Sequence, residues 1–538
     1  MKKHFSKFYD YFEWFLVLVL PLVPLLFTLP YRINLFLAWE GAYRISQGEI
    51  PYKDFGSPVG YVFWLLPALF FKIFGPYVAT LLKVQAFTNI LSNLLLVRIL
   101  KQFGIKLHGR IIVLTVFILS YVLFNFWPWY NHLVFVVELA SIYFLLRYLL
   151  QNKKVLNVVF SAILVVLAFL TKQDTGGLTL VLTGSLLIYD SLLKRNIKSI
   201  IFYCAGLIIA IVVFILPFTF YDFGYWFNYG QYPHFSRLTI ADLLDEFLGA
   251  SKWLKFYLLI TAGLILYQFN SKEAFLKHKE SFTSHFIVLF ILFQASVIQI
   301  TSYTPLDGNI YFHTFFVALL ILNFQDKLNF KKGFVLWPLL ILVGFWWSNV
   351  YWVRFARSKV LSKLKTEQQD DVISKNTYLL SGDSSSQKMN RGKWIVPEHL
   401  PTFKGVKIPE KTAEGIMKLT KMDVFKRDDI RVLNMTELTP LAYELDLAYD
   451  QGENIPLWYH KGVAFFDREV ELYCEKVERT AYDVILFQDI PDVNNFYPYE
   501  VQECIEANYE LKFKFLAPRI PEISYIYVYV RSSSTLEI

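Results

Sequence analysis

Three cysteines in 538 residues rule out a disulfide framework of several bridges. Cys204 falls inside an apolar run. Cys474 and Cys504 fall on two expected helices, and they are read here as buried free thiols, with a single bridge as the alternative. No Cys/His set has the spacing of a zinc site. No glycine-rich phosphate loop occurs, which removes that route to nucleotide binding. There is no internal repeat of the kind many transporters carry. Charged residues make up only 18% of the chain, and long apolar runs disappear after about residue 356. The short basic N-terminus, Met1 to Phe12, leads into an apolar stretch, Trp14 to Leu29, that has no small-residue cleavage site. That stretch is expected to be a retained first span.

What is present is apolar. The chain is 55% hydrophobic and 18% aromatic, with mean hydropathy +0.39. Runs near the ~20 residues needed to cross a bilayer recur between residues 12 and 353. They are continuous rather than alternating, so helices are expected. The fold class is an α-helical polytopic membrane protein followed by an α/β unit. Residues 1–355 form the membrane domain and 356–538 an extracytoplasmic α/β domain.

The eleven expected spans are 12–29, 77–100, 111–127, 131–150, 155–171, 176–192, 199–221, 252–268, 282–300, 310–325 and 333–353. They leave six loops with three Lys or Arg each, such as Lys101, Lys106 and Arg110, or Lys194, Arg195 and Lys198. The positive-inside rule puts these in the cytoplasm and accounts for the net charge of +8. Residues 61–74, with Pro67 and Lys72, would flip every later loop if they crossed, so they read as a re-entrant or interfacial helix. The expected location is the plasma (inner) membrane, N-terminus cytoplasmic and C-terminal domain outside.

Beyond a polar linker containing Ser384, Ser385 and Ser386, strands are expected at 431–435, 482–488, 509–515 and 525–531. Helices are expected from Thr436, at 467–479 and at 499–507.

The most informative stretch is 39–60, Trp-Glu-Gly-Ala-Tyr-Arg-Ile-Ser-Gln-Gly-Glu-Ile-Pro-Tyr-Lys-Asp-Phe-Gly-Ser-Pro-Val-Gly. It is a polar, turn-rich loop with three carboxylates, Glu40, Glu49 and Asp54. It resembles the first external loop of integral-membrane glycosyltransferases of the GT-C superfamily, bacterial protein O-mannosyltransferase and aminoarabinose transferase-like enzymes among them. The resemblance lies in an acidic residue before Gly, then a Gly-x-x-Pro-Tyr-x-Asp-Phe segment. It implies an inverting enzyme that moves a sugar from a polyprenyl-phosphate donor to a glycan, lipid or protein acceptor. The partners are then that donor, the acceptor and the bilayer, with no nucleic acid. No cofactor is required, and two carboxylates leave room for a divalent metal. A transporter or lipid flippase is the alternative reading, and a membrane scaffold a third.

Under that resemblance Glu40 is the catalytic base, where relatives usually carry Asp. The alternative is an acid at a helix N-terminus complementing its dipole. Asp54 either shapes the substrate site or closes an Asx turn. Lys172, Gln173 and Asp174 form a polar hairpin tip, with Lys172 assigned to the lipid phosphate and Asp174 to substrate or to a helix cap. Tyr130 and Asn131 open the fourth span on the same side, with Glu138 two turns deeper. Arg237 on the 222–250 loop is a second phosphate candidate. GT-C relatives often carry an Arg at the start of the tenth span; here Asn309 to His313 takes its place, and His313 is the substitute, near Asp307 and Tyr311.

Overall fold

The computed structural model describes residues 2–32, 35–227, 239–244, 248, 253–302, 311–327, 333–351, 393–427, 429–453, 455–457, 465–490, 498–518 and 523–531. The apolar runs are helical. In chain order they are α1 (Lys2–Leu18), α2 (Leu35–Ser46), α3 (Val62–Phe74), α4 (Val78–Gln102), α5 (Leu107–Ser120), α6 (Tyr130–Leu146) and α7 (Val155–Phe169). Then come α8 (Gln173–Lys194), α9 (Lys198–Phe214), α10 (Ile240–Leu244), α11 (Leu254–Gln268), α12 (Lys272–Ser302), α13 (Tyr311–Phe324) and α14 (Gly333–Tyr351).

Among the described residues, five helical segments are long and apolar enough to cross a bilayer: Val78–Gln102, Leu107–Phe124, Tyr130–Asn152, Gln173–Lys194 and Ser281–Thr301. A bent N-terminal pair, Lys7–Leu18 with Leu20–Leu26, makes a sixth. Its 46° bend has a cause: Pro21 and Pro24 withdraw N–H donors and clash with the preceding turn. Other apolar helices are shorter, including Val155–Phe169, Lys198–Phe214, Leu254–Gln268 and Tyr311–Phe324. α3 has 13 residues, about 20 Å of helix, well under the ~30 Å of a hydrocarbon core. α7 packs against α6, α8 and α9. Gly206 lets α9 approach α7, since a Cβ there would lie 2.9 Å from that of Ala162.

Among the described residues the strands form two sheets. In one, β4 (Val432–Met435), β5 (Val484–Asp489), β7 (Tyr525–Arg531) and β6 (Tyr509–Leu516) lie in that spatial order. β4 and β5 are parallel; β5–β7 and β7–β6 are antiparallel. β5 is buried on both faces, as its unbroken apolar run requires. Ile485 and Phe487 face α17 (Phe466–Glu478) and α18 (Tyr499–Asn508), packing with Tyr473, Val477, Val501 and Ile505. Val484 and Leu486 face the other way, into a cluster that includes Trp39, Phe63 and Trp64. One face of this sheet therefore shares a core with the first loop.

Three expectations change. Cys474 and Cys504 are joined as a disulfide, with Cα atoms 5.5 Å apart, because α17 and α18 pack side by side. The helix expected from Thr436 shrinks to α16, Leu441–Glu444. The Thr436 hydroxyl accepts from Leu438 N–H and donates to Asn434, so a side-chain turn replaces the first helical turn ahead of Pro440. A second sheet was not foreseen. β1 (Leu29–Pro30) runs parallel to β3 (Val406–Pro409), which pairs antiparallel with β2 (Trp394–Ile395). Between β3 and β4 the chain forms α15 (Glu410–Thr420).

Candidate active site

α2 holds the site because both of its ends are pinned. At its start, Tyr31 N–H donates to the Lys407 carbonyl beside β1. Beyond its end, Gly56 N–H donates to Ile455, Leu457 N–H donates to Gly56, and Gly452 N–H donates to Asp54 O. Gly41 clears one side of the helix: the Trp64 ring lies where a Cβ would sit, and the indole N–H donates to the Leu37 carbonyl at 2.8 Å. Gly60 does the same for the α7–α8 hairpin, whose Leu170 carbonyl lies against its Cα.

Glu40 is the sixth residue of α2, not its N-terminal acid, so the dipole role is removed. It is 8% exposed. Burial raises its pKa to about 8, against the pull of Arg44 and with a smaller push from Glu49. Arg44, one turn on and 1% exposed, is the hub. Its Nη1 is 4.0 Å from Glu40 Oε1, and its Nε donates to Glu49 Oε2 at 2.5 Å. Its Nη2 donates to the carbonyls of Asp54 (3.1 Å) and Asp450 (2.8 Å). The rings of Phe55 and Tyr449 cover the guanidinium at 4.7 and 4.9 Å. Asp54 itself closes the loop: its Oδ2 accepts from Ile50 N–H at 2.7 Å. That bond lets Tyr52 hold a positive φ of 67°.

A second group sits at the hairpin tip. Lys172 Nζ donates to Asp174 Oδ2 at 2.7 Å, and Thr301 donates to the same oxygen at 2.6 Å. Asp174 Oδ1 accepts from Thr175 N–H in the first turn of α8. Gln173 donates to the Trp226 carbonyl. Tyr130 lies edge-on to Phe63 of α3, 6.1 Å between centroids, and Asn131 Oδ1 is buried without a partner. The two groups are linked through Gly60 against Leu170, and through the 221–227 segment, where Asp222 N–H donates to Tyr52 O.

Two expected members stand apart. Glu138 is fully buried within the bundle; its Oε2 accepts from Gln294 at 3.0 Å, and its Oε1 is unpaired. His313 is bonded to Tyr257 at 3.0 Å and faces Phe312 and Trp347, in contact with neither group. Arg237 and Asp307 lie outside the described residues.

Sequence reasoning passed over Arg44, Tyr449 and Glu469. The first was hidden by its neighbours: nothing local shows that Arg44 reaches a carbonyl 406 residues away. Glu469 on α17 is 2% exposed, with both carboxylate oxygens unpaired. Burial raises its pKa to about 8. The folded state thus favours the protonated acid, and the associated stability is lost as pH rises from about 4.5 toward 8. Glu469→Gln is expected to flatten that pH dependence. It should also raise stability at pH 9, because the amide leaves no charge to bury there. Thermal unfolding from pH 5 to 9 tests this, and an unchanged slope refutes it.

No protein-family model matches the sequence. No curated protein matches it either. Among solved structures, ArnT from Cupriavidus metallidurans in the apo state aligns over 98% of this chain and 99% of its own, at TM-score 0.50 and 11% identity. The chain shares the fold of that ArnT structure. The same ArnT bound to undecaprenyl phosphate aligns over 98% of both chains, at TM-score 0.48 and 12% identity. The likeness runs through both the helical part and the sheets, so the architecture is that of a polytopic membrane protein.

Proposed function

We propose that this chain is an inverting membrane glycosyltransferase, taking its sugar from a polyprenyl-phosphate donor. The observation that carries the reading is Glu40: a buried carboxylate with a raised pKa, lining a cavity and held one helix turn from a clamped guanidinium. Glu40 takes the proton of an acceptor hydroxyl. The acceptor oxygen then attacks the anomeric carbon as its bond to the carrier phosphate breaks, and the phosphate leaves with the electron pair. The base is positioned by Arg44, and Gly41 allows the close packing that buries it.

The donor phosphate is assigned to Lys172 at the hairpin tip. Asp174 holds that ammonium in place, and Thr301 in turn donates to Asp174. Lys172→Met is expected to weaken binding of a polyprenyl-phosphate sugar by ~1.5–3 kcal/mol, the scale of a hydrogen bond to a charged group. Acceptor affinity should change little. Equal donor affinity in the variant would reduce Lys172 to an anchor of the α7–α8 turn and bring His313 to the fore.

We place the sheet-bearing half, residues 356–538, outside the cytoplasm as a cover for this site. The Cys474–Cys504 bridge supports that side, since such bonds persist in oxidising compartments. Eleven spans with an interfacial α3 accommodate it. Glu138 favours a transporter as the second reading, because intramembrane carboxylates mark ion and substrate paths. Release of free polyprenyl phosphate upon acceptor addition separates the two: an enzyme produces it, a transporter does not.

A further inference from the structure

The cavity beside Glu40 opens between α2, the end of β4 and residues 447–453 and 455–457. Phe36, Glu40 and Arg44 line it from one face of α2, as their i, i+4, i+8 spacing requires. Asn434, Tyr449 and Asp450 line the opposite side. Its lining has the make-up of a small-ligand site, apolar and aromatic with a few convergent polar groups.

Its charges decide what fits. Among the described residues, the lining holds one guanidinium, Arg44, and two carboxylates, Glu40 and Asp450. Arg44 is already committed: Glu49, two backbone carbonyls and Glu40 surround its nitrogens, and two rings cover its faces. Asp450 is held by Lys476 at 2.9 Å and by the Tyr482 hydroxyl. Among the described residues, a phosphate, sulfate or uronate entering here meets carboxylates and a guanidinium that already has its partners, so it loses hydration without a charged partner from these side chains. A neutral sugar meets the reverse. Its hydroxyls find carboxylate and amide groups, and its C–H face packs on rings such as Phe36 and Tyr449.

We infer that this cavity is the acceptor subsite and that the group delivered to Glu40 is the hydroxyl of an uncharged saccharide, presented on the sheet side while the donor lipid lies on the membrane side. The assignment rests on the reading of Glu40 as the base.

Ala448 provides the test, because it is solvent-exposed and lies on the cavity lining. Saturation-transfer NMR on the full chain in detergent would compare methyl β-glucopyranoside and methyl N-acetyl-β-glucosaminide with glucose 6-phosphate and methyl glucuronide. The neutral pair should bind, and Ala448→Trp should weaken them at least about tenfold by occupying the space. The anionic pair should not bind to the parent. Ala448→Lys should admit glucose 6-phosphate, with a gain of roughly tenfold from one charge-assisted contact. Undecaprenyl phosphate binding should be the same in all three proteins. Parent-like binding of neutral glycosides by Ala448→Trp overturns the inference, as does preference of the parent for the anionic pair. If the parent binds neutral glycosides in an Ala448-sensitive manner but never binds undecaprenyl phosphate, the saccharide site stands and the donor reading fails.

Discussion

Glu40→Gln is expected to cut sugar transfer by ~100-fold or more, the usual scale for loss of a general base, while leaving donor-lipid binding intact. The amide keeps the shape of the side chain but accepts no proton. The pH profile provides a sharper check. Burial holds the Glu40 pKa at about 8, and only the carboxylate acts as a base. Parent kcat/KM should therefore climb as pH rises toward 8 and level off above it. In Glu40→Gln that limb should vanish along with the rate. Near-normal turnover by the variant would sink the assignment and leave Asp54 or Glu138 to be tested. Of these, Asp54 already spends one oxygen on the turn at Ile50, and Glu138 lies within the helical bundle.

Arg44→Met should be the most damaging change to the fold of the site. The substitution strands Glu49 beside Glu40 with no guanidinium between them, and it frees the carbonyls of Asp54 and Asp450. Removing one partner from a buried ion pair costs about 3–5 kcal/mol, and here the lost partner also stitches the first loop to the 449–457 segment. Two readouts separate positioning from mere stability. The unfolding temperature should fall. Since Arg44 lowers the Glu40 pKa, the ascending limb of kcat/KM should also move to higher pH. Arg44→Lys should restore part of the stability, because it keeps the charge without the planar fork that serves several acceptors. An Arg44→Met protein with parental unfolding and an unshifted limb would show that the clamp is dispensable.

The elements that were legible in the chain are those whose signal is local. The apolar run at 176–192 became the interior of α8, and the alternating patterns at 509–515 and 525–531 became the antiparallel pair β6 and β7. The apolar run at 61–74 became the 13-residue helix α3. Glu40 and the Lys172–Asp174 turn stood out because carboxylates and lysines are costly near apolar helices. What could not be read was pairing at a distance. The β1–β3 ladder joins residues 29–30 to 406–407, and two-residue strands have no periodicity to detect. The expected helix from Thr436 gave way to a side-chain turn because Thr436, Asn434 and Leu438 bond to one another ahead of Pro440.

Composition and unbroken apolar runs by themselves pointed to helices in a membrane, since only helices and closed barrels satisfy backbone N–H and C=O groups there and a barrel strand would alternate. Spacing by itself determined that carboxylates crowd the loop at 40–54. Only the tertiary structure decided which of them is buried, because desolvation depends on what is packed over a side chain, not on its neighbours in sequence. It turned Glu40 toward a cavity, gave Arg44 its partners from segments 5 to 406 residues away, and assigned Asp54 to the turn. It also brought Cys474 within bonding distance of Cys504, since the packing of two helices on one sheet face sets that separation.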